Sequence, residues 1–497
     1  MNDALLRRAL ELRDLDAVIK LAQWDRETNL PANASAARSA QLATLHGLYH
    51  ERLVDPRLGE WLAVPDANDV DDEASRRVLA RERNRALTLS ATLVRDIAEA
   101  QASGLAAWNA ARAQRSFSLF RPHLERLVVL RRTQADAYGY DGGERYDALL
   151  DLYEPGMRVQ RLEPVLTSLK HQLLELLKTL DARPKPRNVF AGHVFDAEAQ
   201  WRFTMQLLPA LGFDLKAGRQ DRSVHPFTMA LHPADVRLTT RLNPTTPLPA
   251  IFGTLHEAGH GLYEQGLEPH GVLGQALSMG LHESQSRLWE NLVGRDAPFW
   301  RPHYPALQAA FPEALGGVSL DDFLATVNTV ERTFIRVEAD EVTYNLHIVL
   351  RFELELALFR GQLAVADLEA AWNEKTQALF GLGVTSPLEG VLQDIHWAWG
   401  DFGYFPTYAL GNLYAASLMA AARRALPDLD EQLAAGITSG LLGWLRTQVH
   451  HAGARFDAEE VVRRATGTGL TDVDFIAALH AKYAHRGLAP SSGPTRR

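Results

Sequence analysis

His256, Glu257 and His260 form an HExxH pattern in a stretch whose apolar residues recur at helical spacing. Two histidines four residues apart lie about 40° apart around an α-helix, so both imidazoles can bind one metal ion. Zinc binds such nitrogens at roughly 2.0–2.1 Å. Glu257 leaves the same helix beside the ion, where its carboxylate can take a proton from a metal-bound water. The pattern therefore indicates the centre of a zinc peptidase.

A zinc centre of this kind requires a third protein ligand, usually a Glu or His roughly twenty to thirty residues further along the chain. Gln275–Val293 is a second stretch with helical spacing, and Gly271 and Gly274 separate it from the first. It contains Glu283, and also Glu290 nearly two helical turns later. Spacing alone therefore leaves both carboxylates open as the third ligand.

The spacing of apolar residues predicts helices over most of the remaining chain. The predicted helices are Leu5–Leu21, Ala74–Gln114, Leu124–Ala137, Leu162–Leu180, Ala197–Leu211, Leu320–Leu358, Leu363–Phe380, Leu410–Ala425, Leu429–Val449 and Ala458–Ala465. Asp221–Leu242 is the exception, because its apolar residues alternate on both sides of a turn at 232–235 and predict a β-hairpin. A strand beside the metal helix can bind an extended peptide through its main chain, or serve a structural role alone.

We therefore expect a mainly α fold with a small β-hairpin next to the metal helix. Residues 1–497 are interpreted as a single domain, with two helical lobes around a cleft as a variant of that arrangement. The segment 488–497 is rich in Pro, Ser, Gly and Arg, which predicts a flexible tail.

The composition is that of a large globular enzyme. A net charge of −9 over 497 residues, without a basic run, argues against nucleic-acid binding. No stretch approaches about 18 uninterrupted apolar residues, so no membrane-spanning helix is expected. The sequence has no cysteine, which excludes disulfides, cysteine zinc sites and a thiol nucleophile. These features favour a cytoplasmic location.

Six motifs, in order along the chain, resemble those of the carboxypeptidase Taq family of metallopeptidases. They are HPF at His225–Phe227, DxRxT at Asp235–Thr239, HExxH at His256–His260, HES/GQ at His282–Gln285, IRxxAD at Ile335–Asp340 and GxxQDxHW at Gly390–Trp397. The resemblance implies a helical zincin-type enzyme with a deep active-site groove, usually a homodimer. It also implies release of single C-terminal amino acids from peptides, with broad side-chain preference and poor action at proline.

The same resemblance assigns the metal ligands. It makes Glu283 the third ligand, so that His256, His260 and Glu283 would hold one Zn²⁺ per subunit. Co²⁺ or Mn²⁺ can replace Zn²⁺ at nitrogen and oxygen ligands. Glu257 would remove the proton of the attacking water and later deliver it to the leaving amine.

Recognition of a free C-terminus calls for a group that binds a carboxylate, and the planar guanidinium of arginine does so in a bidentate way. Arg237, Arg336 and Arg351 are the candidates. Each also has a structural interpretation: Arg237 could pair with Asp235 along a strand, and Arg336 could pair with Asp340 along a helix.

Further substrate-binding candidates follow from the motifs. His396, Tyr404 and Tyr408 could donate hydrogen bonds to a tetrahedral oxyanion, although either tyrosine could equally be a packed core residue. His225 of the HPF motif is included with them. Two further sets are interpreted as supporting groups: Gln393 and Asp394 as partners that orient the ligand histidines, and Trp289, Trp397 and Trp399 as wall and core.

Two other functions remain open at this point. A related helical zinc oligoendopeptidase or dipeptidyl carboxypeptidase shares HExxH and a downstream Glu, but the motifs at 225–239 and 390–397 argue against it. A helical peptide-binding protein that has lost catalysis is the alternative of another class. The intact His256, Glu257, His260 and Glu283 argue against that alternative.

Overall fold

The computed structural model describes residues 3–64, 70–269, 271–276 and 278–484. The predicted tail at 488–497 lies outside the described residues. The α-helices are α1 (Asp3–Thr28), α2 (Ser35–Val54), α3 (Pro56–Leu62), α4 (Val70–Thr88), α5 (Ala91–Gln114), α6 (Phe117–Tyr138), α7 (Arg145–Leu150), α8 (Val159–Asp181), α9 (Ala197–Leu211), α10 (Leu248–Glu264), α11 (Met279–Arg287), α12 (Ala297–Ala310), α13 (Pro312–Leu315), α14 (Leu320–Val327), α15 (Tyr344–Arg360), α16 (Leu368–Phe380), α17 (His396–Trp399), α18 (Phe405–Ala425), α19 (Leu429–Ala434), α20 (Ser439–Gln448), α21 (Ala458–Thr466) and α22 (Val473–Leu479).

The expected mainly α fold is confirmed, but three predicted helices are each divided into shorter elements. Ala74–Gln114 divides into α4 and α5, because the hydroxyl of Ser90 accepts a hydrogen bond from the Leu93 amide and starts a new helix. Leu429–Val449 likewise divides into α19 and α20.

Leu320–Leu358 is the third predicted helix that the structure corrects. It is interrupted from 328 to 343, where only a short turn at Arg336–Glu338 is helical. The Asp340 carboxylate accepts hydrogen bonds from the amides of Val342 and Thr343 just before α15 begins. That local bonding competes with a continuous helix.

Apolar spacing also failed to predict α2. Only two of its residues, Leu42 and Leu53, are buried, so the helix presents little apolar periodicity.

Helix α18 lies at the centre of the main core. It is buried on nearly every side, and it packs against α11, α15, α21 and α22. A second, smaller apolar cluster joins α1, α3 and α4 to Val272, Leu273 and Ala454. The single-domain interpretation, with or without two lobes, stays a prediction. Within the described ranges, no helix is both long enough and apolar enough to cross a membrane.

The predicted hairpin is confirmed and belongs to a three-stranded sheet. Strands β2 (Thr228–His232) and β3 (Asp235–Thr240) are antiparallel, and Thr228 pairs with Leu238. Strand β1 (Gly218–Arg222), which alternation did not predict, runs parallel to β3, so the strand order is β1-β3-β2. Strand β3 packs against α10, and β2 forms an outer edge of the sheet next to α1.

Candidate metal centre and substrate-binding groups

Helices α10 and α11 bring three potential metal ligands together. The ligand atoms of His256, His260 and Glu283 all lie within 4.8 Å of one another. Glu283 Oε2 is 3.6 Å from His256 Nε2 and 3.4 Å from His260 Nε2. Ligand atoms at roughly 2.0–2.1 Å from a tetrahedral ion stand about 3.3 Å apart. Two imidazoles and one carboxylate with this spacing fit a divalent metal and leave a fourth coordination position open.

Two glycines allow these helices to approach so closely. A Cβ atom on Gly259, inside the HExxH pattern, would lie 2.5 Å from the carbonyl oxygen of Gln285. A Cβ atom on Gly411 of α18 would lie 2.4 Å from Cγ of Glu283. Both distances are well below van der Waals contact. The position of the Glu283 carboxylate therefore depends on the absence of side chains at both glycines.

Glu290, the rival third ligand, lies behind His256. Its Oε2 is 2.9 Å from His256 Nδ1, on the side of the ring opposite the ligand nitrogen. Arg287 contacts both carboxylates: its Nε donates to Glu283 Oε1 at 2.7 Å, and its Nη1 donates to Glu290 Oε2 at 3.3 Å. Burial alone would raise the pKa of Glu290, but Arg287 and His256 outweigh it and lower the pKa to about 2. Glu290 is therefore an ionised partner of His256 and not a member of the three-residue cluster.

The two candidate ligand histidines differ in their electrostatic surroundings. Burial opposes the charged form of His256, but Glu283 and Glu290 outweigh it and raise the pKa of His256 to about 9. Burial and the neighbouring His282 lower the pKa of His260 to about 3. Burial would also raise the pKa of Glu283, yet Arg287 and His256 hold that pKa well below its ordinary value. Metal binding therefore competes with a proton at His256, whereas the His260 and Glu283 side chains already have the ionisation state of ligands.

Glu257 is held by the neighbouring sheet. Its Oε2 accepts a hydrogen bond of 2.7 Å from the hydroxyl of Thr228, on β2. The same hydroxyl is 3.0 Å from the Glu257 carbonyl oxygen. Burial raises the pKa of Glu257 above its ordinary value. A higher pKa makes the ionised carboxylate a stronger base, which suits a residue that accepts a proton during catalysis.

Asp394 joins two of the candidate arginines. Arg336 Nη2 donates to Asp394 Oδ1 at 2.8 Å, and Arg351 Nε donates to Asp394 Oδ2 at 2.7 Å. Burial would raise the pKa of Asp394, but the two guanidiniums outweigh it and hold that pKa far below its ordinary value. Two buried guanidiniums thus share one carboxylate, and the group has one excess positive charge.

A family model described as carboxypeptidase Taq (M32) metallopeptidase matches residues 4–483. The chain belongs to this family. Thermostable carboxypeptidase 1 of Thermus thermophilus is 43% identical over 498 residues, which cover 97% of this chain and 98% of the relative. Carboxypeptidase 1 of Bacillus subtilis is 38% identical over 477 residues, with coverage of 94% and 95%. The crystal structure of an M32 carboxypeptidase from Deinococcus radiodurans R1 matches with a TM-score of 0.95 at 37% identity, covering 98% of this chain and 99% of that chain.

Membership makes the chain a metallocarboxypeptidase, a hydrolase that acts on peptides and depends on a divalent metal. This favours the carboxypeptidase interpretation over the oligoendopeptidase and the inactive peptide-binding protein. The expected family and helical fold are both confirmed.

The structure corrects two predicted contacts of this M32 carboxypeptidase. Arg336 does not pair with Asp340, because its guanidinium is occupied by Asp394 and by the hydroxyl of Tyr344. Asp394 and Gln393 do not orient the ligand histidines: Asp394 binds the arginines, and the Gln393 side chain bonds to the backbone of the 334–336 segment.

His396, Tyr404 and Tyr408 lie together beside the arginine pair. His396 Nε2 is 3.1 Å from the Tyr408 hydroxyl, and the Tyr404 and Tyr408 rings are 5.3 Å apart. Burial lowers the pKa of His396 to about 3, and the nearby Asp394 does not reverse that shift. Both tyrosines are half-buried, and burial raises the pKa of each hydroxyl above its ordinary value.

The remaining candidates are not brought to this group. His225 is exposed on the loop between β1 and β2. Arg237 pairs with Asp235 at 2.9 Å and lies over the Trp24 ring of α1, so its structural interpretation is the one that the contacts favour.

Of the three tryptophans interpreted as wall and core, two are buried. Trp289 and Trp397 are 0% and 3% exposed, but Trp399 is 42% exposed, so it is not a core residue and its role as a wall residue stays a prediction. It is the last residue of the short helix α17, where the Gly400 turn leaves its side chain at the surface.

Sequence reasoning missed three residues around the centre. Thr228 contacts Glu257, Arg287 contacts Glu283, and Glu264 contacts His282 behind His260. Thr228 follows directly after the HPF motif, Glu264 is four residues after His260, and Arg287 is four residues after Glu283. One helical turn from a ligand is a signal that could have identified the last two.

Proposed function

We propose that this carboxypeptidase releases single C-terminal amino acids from peptides through His256, His260 and Glu283 as metal ligands and Glu257 as the general base and acid. The observation that carries the proposal is the cluster of His256, His260 and Glu283, beside a buried glutamate held by Thr228. Zn²⁺ is the proposed ion, one per subunit, and Co²⁺ or Mn²⁺ suit the same donor set. Broad side-chain preference, poor action at proline, a homodimer and a cytoplasmic location are proposed on the resemblance of the motifs.

A divalent metal at this position would polarise the scissile carbonyl and lower the pKa of a water molecule. Glu257 takes the proton of the attacking water and carries it to the leaving amine. The Thr228 hydroxyl limits the rotation of the Glu257 carboxylate, so that one oxygen stays directed to the proton that it receives. Tyr404, Tyr408 and His396 are the proposed donors to the oxyanion, since their polar atoms lie in one group.

Arg336 is the proposed receptor for the substrate carboxylate. A guanidinium has five N–H groups. Within the described part of the chain, the Arg336 side chain makes three hydrogen bonds: Nε and Nη2 donate to Asp394 Oδ1, and Nη1 donates to the Tyr344 hydroxyl. Arg351 is fully enclosed, at 0% exposure, and it also donates to the His347 carbonyl. Arg351 therefore positions Asp394, while Arg336, which is 5% exposed, is the guanidinium that a ligand could reach.

The outer edge of β2 is the proposed binding place for the extended part of the peptide. A cavity of about 220 Å³ runs along Ala230–Pro233 and reaches Glu264 at the end of the metal helix. Main-chain groups at a sheet edge can pair with a peptide regardless of its side chains, which suits a broad preference. His225 and Arg237 stay weaker proposals as substrate contacts, given their positions.

A time course on an unblocked peptide and its C-terminally amidated twin tests the proposal. The metal-loaded wild type, Glu257→Gln and a control, Glu313→Gln at an exposed position, are compared by mass spectrometry. Stepwise loss of single residues from the free-acid peptide only, abolished in Glu257→Gln and retained in the control, is expected. Internal cuts in both peptides, or loss of dipeptides, would overturn it.

A further inference from the structure

His282 and Glu264 form a chain of contacts behind one of the proposed metal ligands. His282 Nδ1 is 2.5 Å from His260 Nδ1, and His282 Nε2 is 2.8 Å from Glu264 Oε1. We propose that His282 and Glu264 are positioning residues that fix the tautomer and orientation of His260 and thereby raise the affinity for the metal. This inference rests on the proposed role of His260 as a ligand.

The hydrogen-bond donors and acceptors of His260, His282 and Glu264 can be arranged in only one way if His260 is to bind a metal through Nε2. An ionised carboxylate only accepts hydrogen bonds, so His282 Nε2 carries the proton that is shared with Glu264. His282 Nδ1 then has a free lone pair, and it accepts the proton of His260 Nδ1. His260 Nε2 is left without a proton, and it is this nitrogen that faces Glu283 Oε2 at 3.4 Å.

The reverse tautomer of His260 would direct an N–H at the metal position and block binding. Holding the correct tautomer before the metal arrives removes that competing state. The Glu264 carboxylate also polarises the His282 ring, which strengthens the hydrogen bond from His260 Nδ1. His260 Nε2 thereby becomes a stronger electron-pair donor to the metal.

The neighbouring helices and rings hold the His282 and Glu264 side chains in place. Glu264 is the last residue of α10, one turn after His260, whereas His282 is on the first turn of α11. The His282 ring lies 4.5 Å from the His260 ring and 5.4 Å from the Tyr263 ring. The His282 and Glu264 side chains are 17% and 19% exposed, so water competes little for their hydrogen bonds.

The other ligand histidine provides an internal comparison. His256 Nδ1 contacts Glu290 directly, which is the common carboxylate–histidine–metal arrangement. His260 has the same kind of support, but with a second imidazole inserted between ligand and carboxylate. Glu290→Gln is therefore the reference variant for a direct partner.

Two substitutions of His282 separate a tautomer effect from a packing effect. The amide of His282→Asn reaches the position of Nδ1 and retains an acceptor for His260. The amide of His282→Gln reaches the position of Nε2, so it retains the contact with Glu264 and loses the acceptor. Glu264→Gln keeps the shape of the side chain and removes the negative charge of the carboxylate. His303→Gln is the control, because His303 is a half-buried histidine in α12 whose ring centroid lies 4.6 Å from that of Phe299.

The measurement is the Zn²⁺ dissociation constant of the full-length protein, by competition with a chromophoric chelator, together with the melting temperature of the metal-free form. We expect His282→Gln to weaken Zn²⁺ binding roughly 10–100-fold, as is typical of outer partners of metal ligands. His282→Asn and Glu264→Gln should lose less, and His303→Gln should bind as the wild type does. The metal-free melting temperatures of the Asn and Gln variants should agree.

Three results would overturn the inference. Wild-type Zn²⁺ affinity in both His282→Gln and Glu264→Gln, while Glu290→Gln weakens binding, would reject the positioning role of His282 and Glu264. The proposed metal site would still stand. Equal losses in His282→Asn and His282→Gln would assign His282 a packing role. A wild-type protein that binds no Zn²⁺, Co²⁺ or Mn²⁺ would reject the proposed metal site itself, and with it the positioning role of His282 and Glu264.

Discussion

Replacement of Gly411 by Ala tests whether close helix packing positions the metal ligand. The added Cβ would lie 2.4 Å from Cγ and 2.7 Å from Cβ of Glu283, whereas carbon atoms in contact stand about 3.5–4.0 Å apart. Relief of this overlap requires α11 and α18 to separate by about 1 Å, or Glu283 to leave its rotamer. Overpacking of this kind costs about 1–3 kcal/mol. Either movement takes Glu283 Oε2 away from the two histidines, so Zn²⁺ affinity should fall at least tenfold.

The control is Gly443→Ala in α20, where a Cβ atom would have nothing within 4 Å. Both variants gain about 1 kcal/mol from the higher helix propensity of Ala, so the difference between their unfolding free energies isolates the overlap with Glu283. The assays are denaturant unfolding of the metal-free proteins and chelator competition for Zn²⁺. If Gly411→Ala matches Gly443→Ala in stability and retains wild-type affinity, the packing argument is refuted.

Three further variants test other parts of the site. Asp394→Asn removes the only carboxylate shown between two buried guanidiniums in the described structure, and should cost about 3–5 kcal/mol of unfolding free energy in denaturant titrations. Thr228→Val removes the hydrogen bond to Glu257 at nearly constant shape, and should lower kcat roughly tenfold while Zn²⁺ affinity stays within about twofold. Burial raises the pKa of Glu355 from 4.5 to about 7, so the folded chain binds this proton more tightly than the unfolded chain. The resulting stabilisation is complete below about pH 4.5 and is lost as pH rises through about 7, so the stability difference between wild type and Glu355→Gln should change by about 3 kcal/mol between pH 4 and 8. A pH-independent difference would contradict that assignment.

The sequence indicates the two candidate metal-binding histidines because their geometry is local. The four-residue spacing of His256 and His260 fixes both imidazoles on one face of α10, and no tertiary information is needed for that conclusion. The choice between Glu283 and Glu290 is different, because both lie on one helical face and the outcome depends on how α11 packs against α10. The motif resemblance favoured Glu283, and the packing at Gly259 and Gly411 gives the physical reason.

Periodicity assigns a residue to a face of a helix, but it does not identify the group that the face meets. Arg336 and Asp340 have the spacing of an ion pair, yet Arg336 lies in a short turn outside any long helix and meets Asp394, 58 residues later in the chain. Thr228 reaches Glu257 only because β2 packs against α10.

Charged groups in a buried site take their partners from whichever element packs there, since an unpaired buried charge is costly. Their partners are therefore fixed by topology, and pairs that join distant segments are the ones that a single sequence does not reveal. This explains why candidate ligands can be proposed from the sequence, while the arginine–aspartate group and the contacts between His282 and Glu264 required the fold.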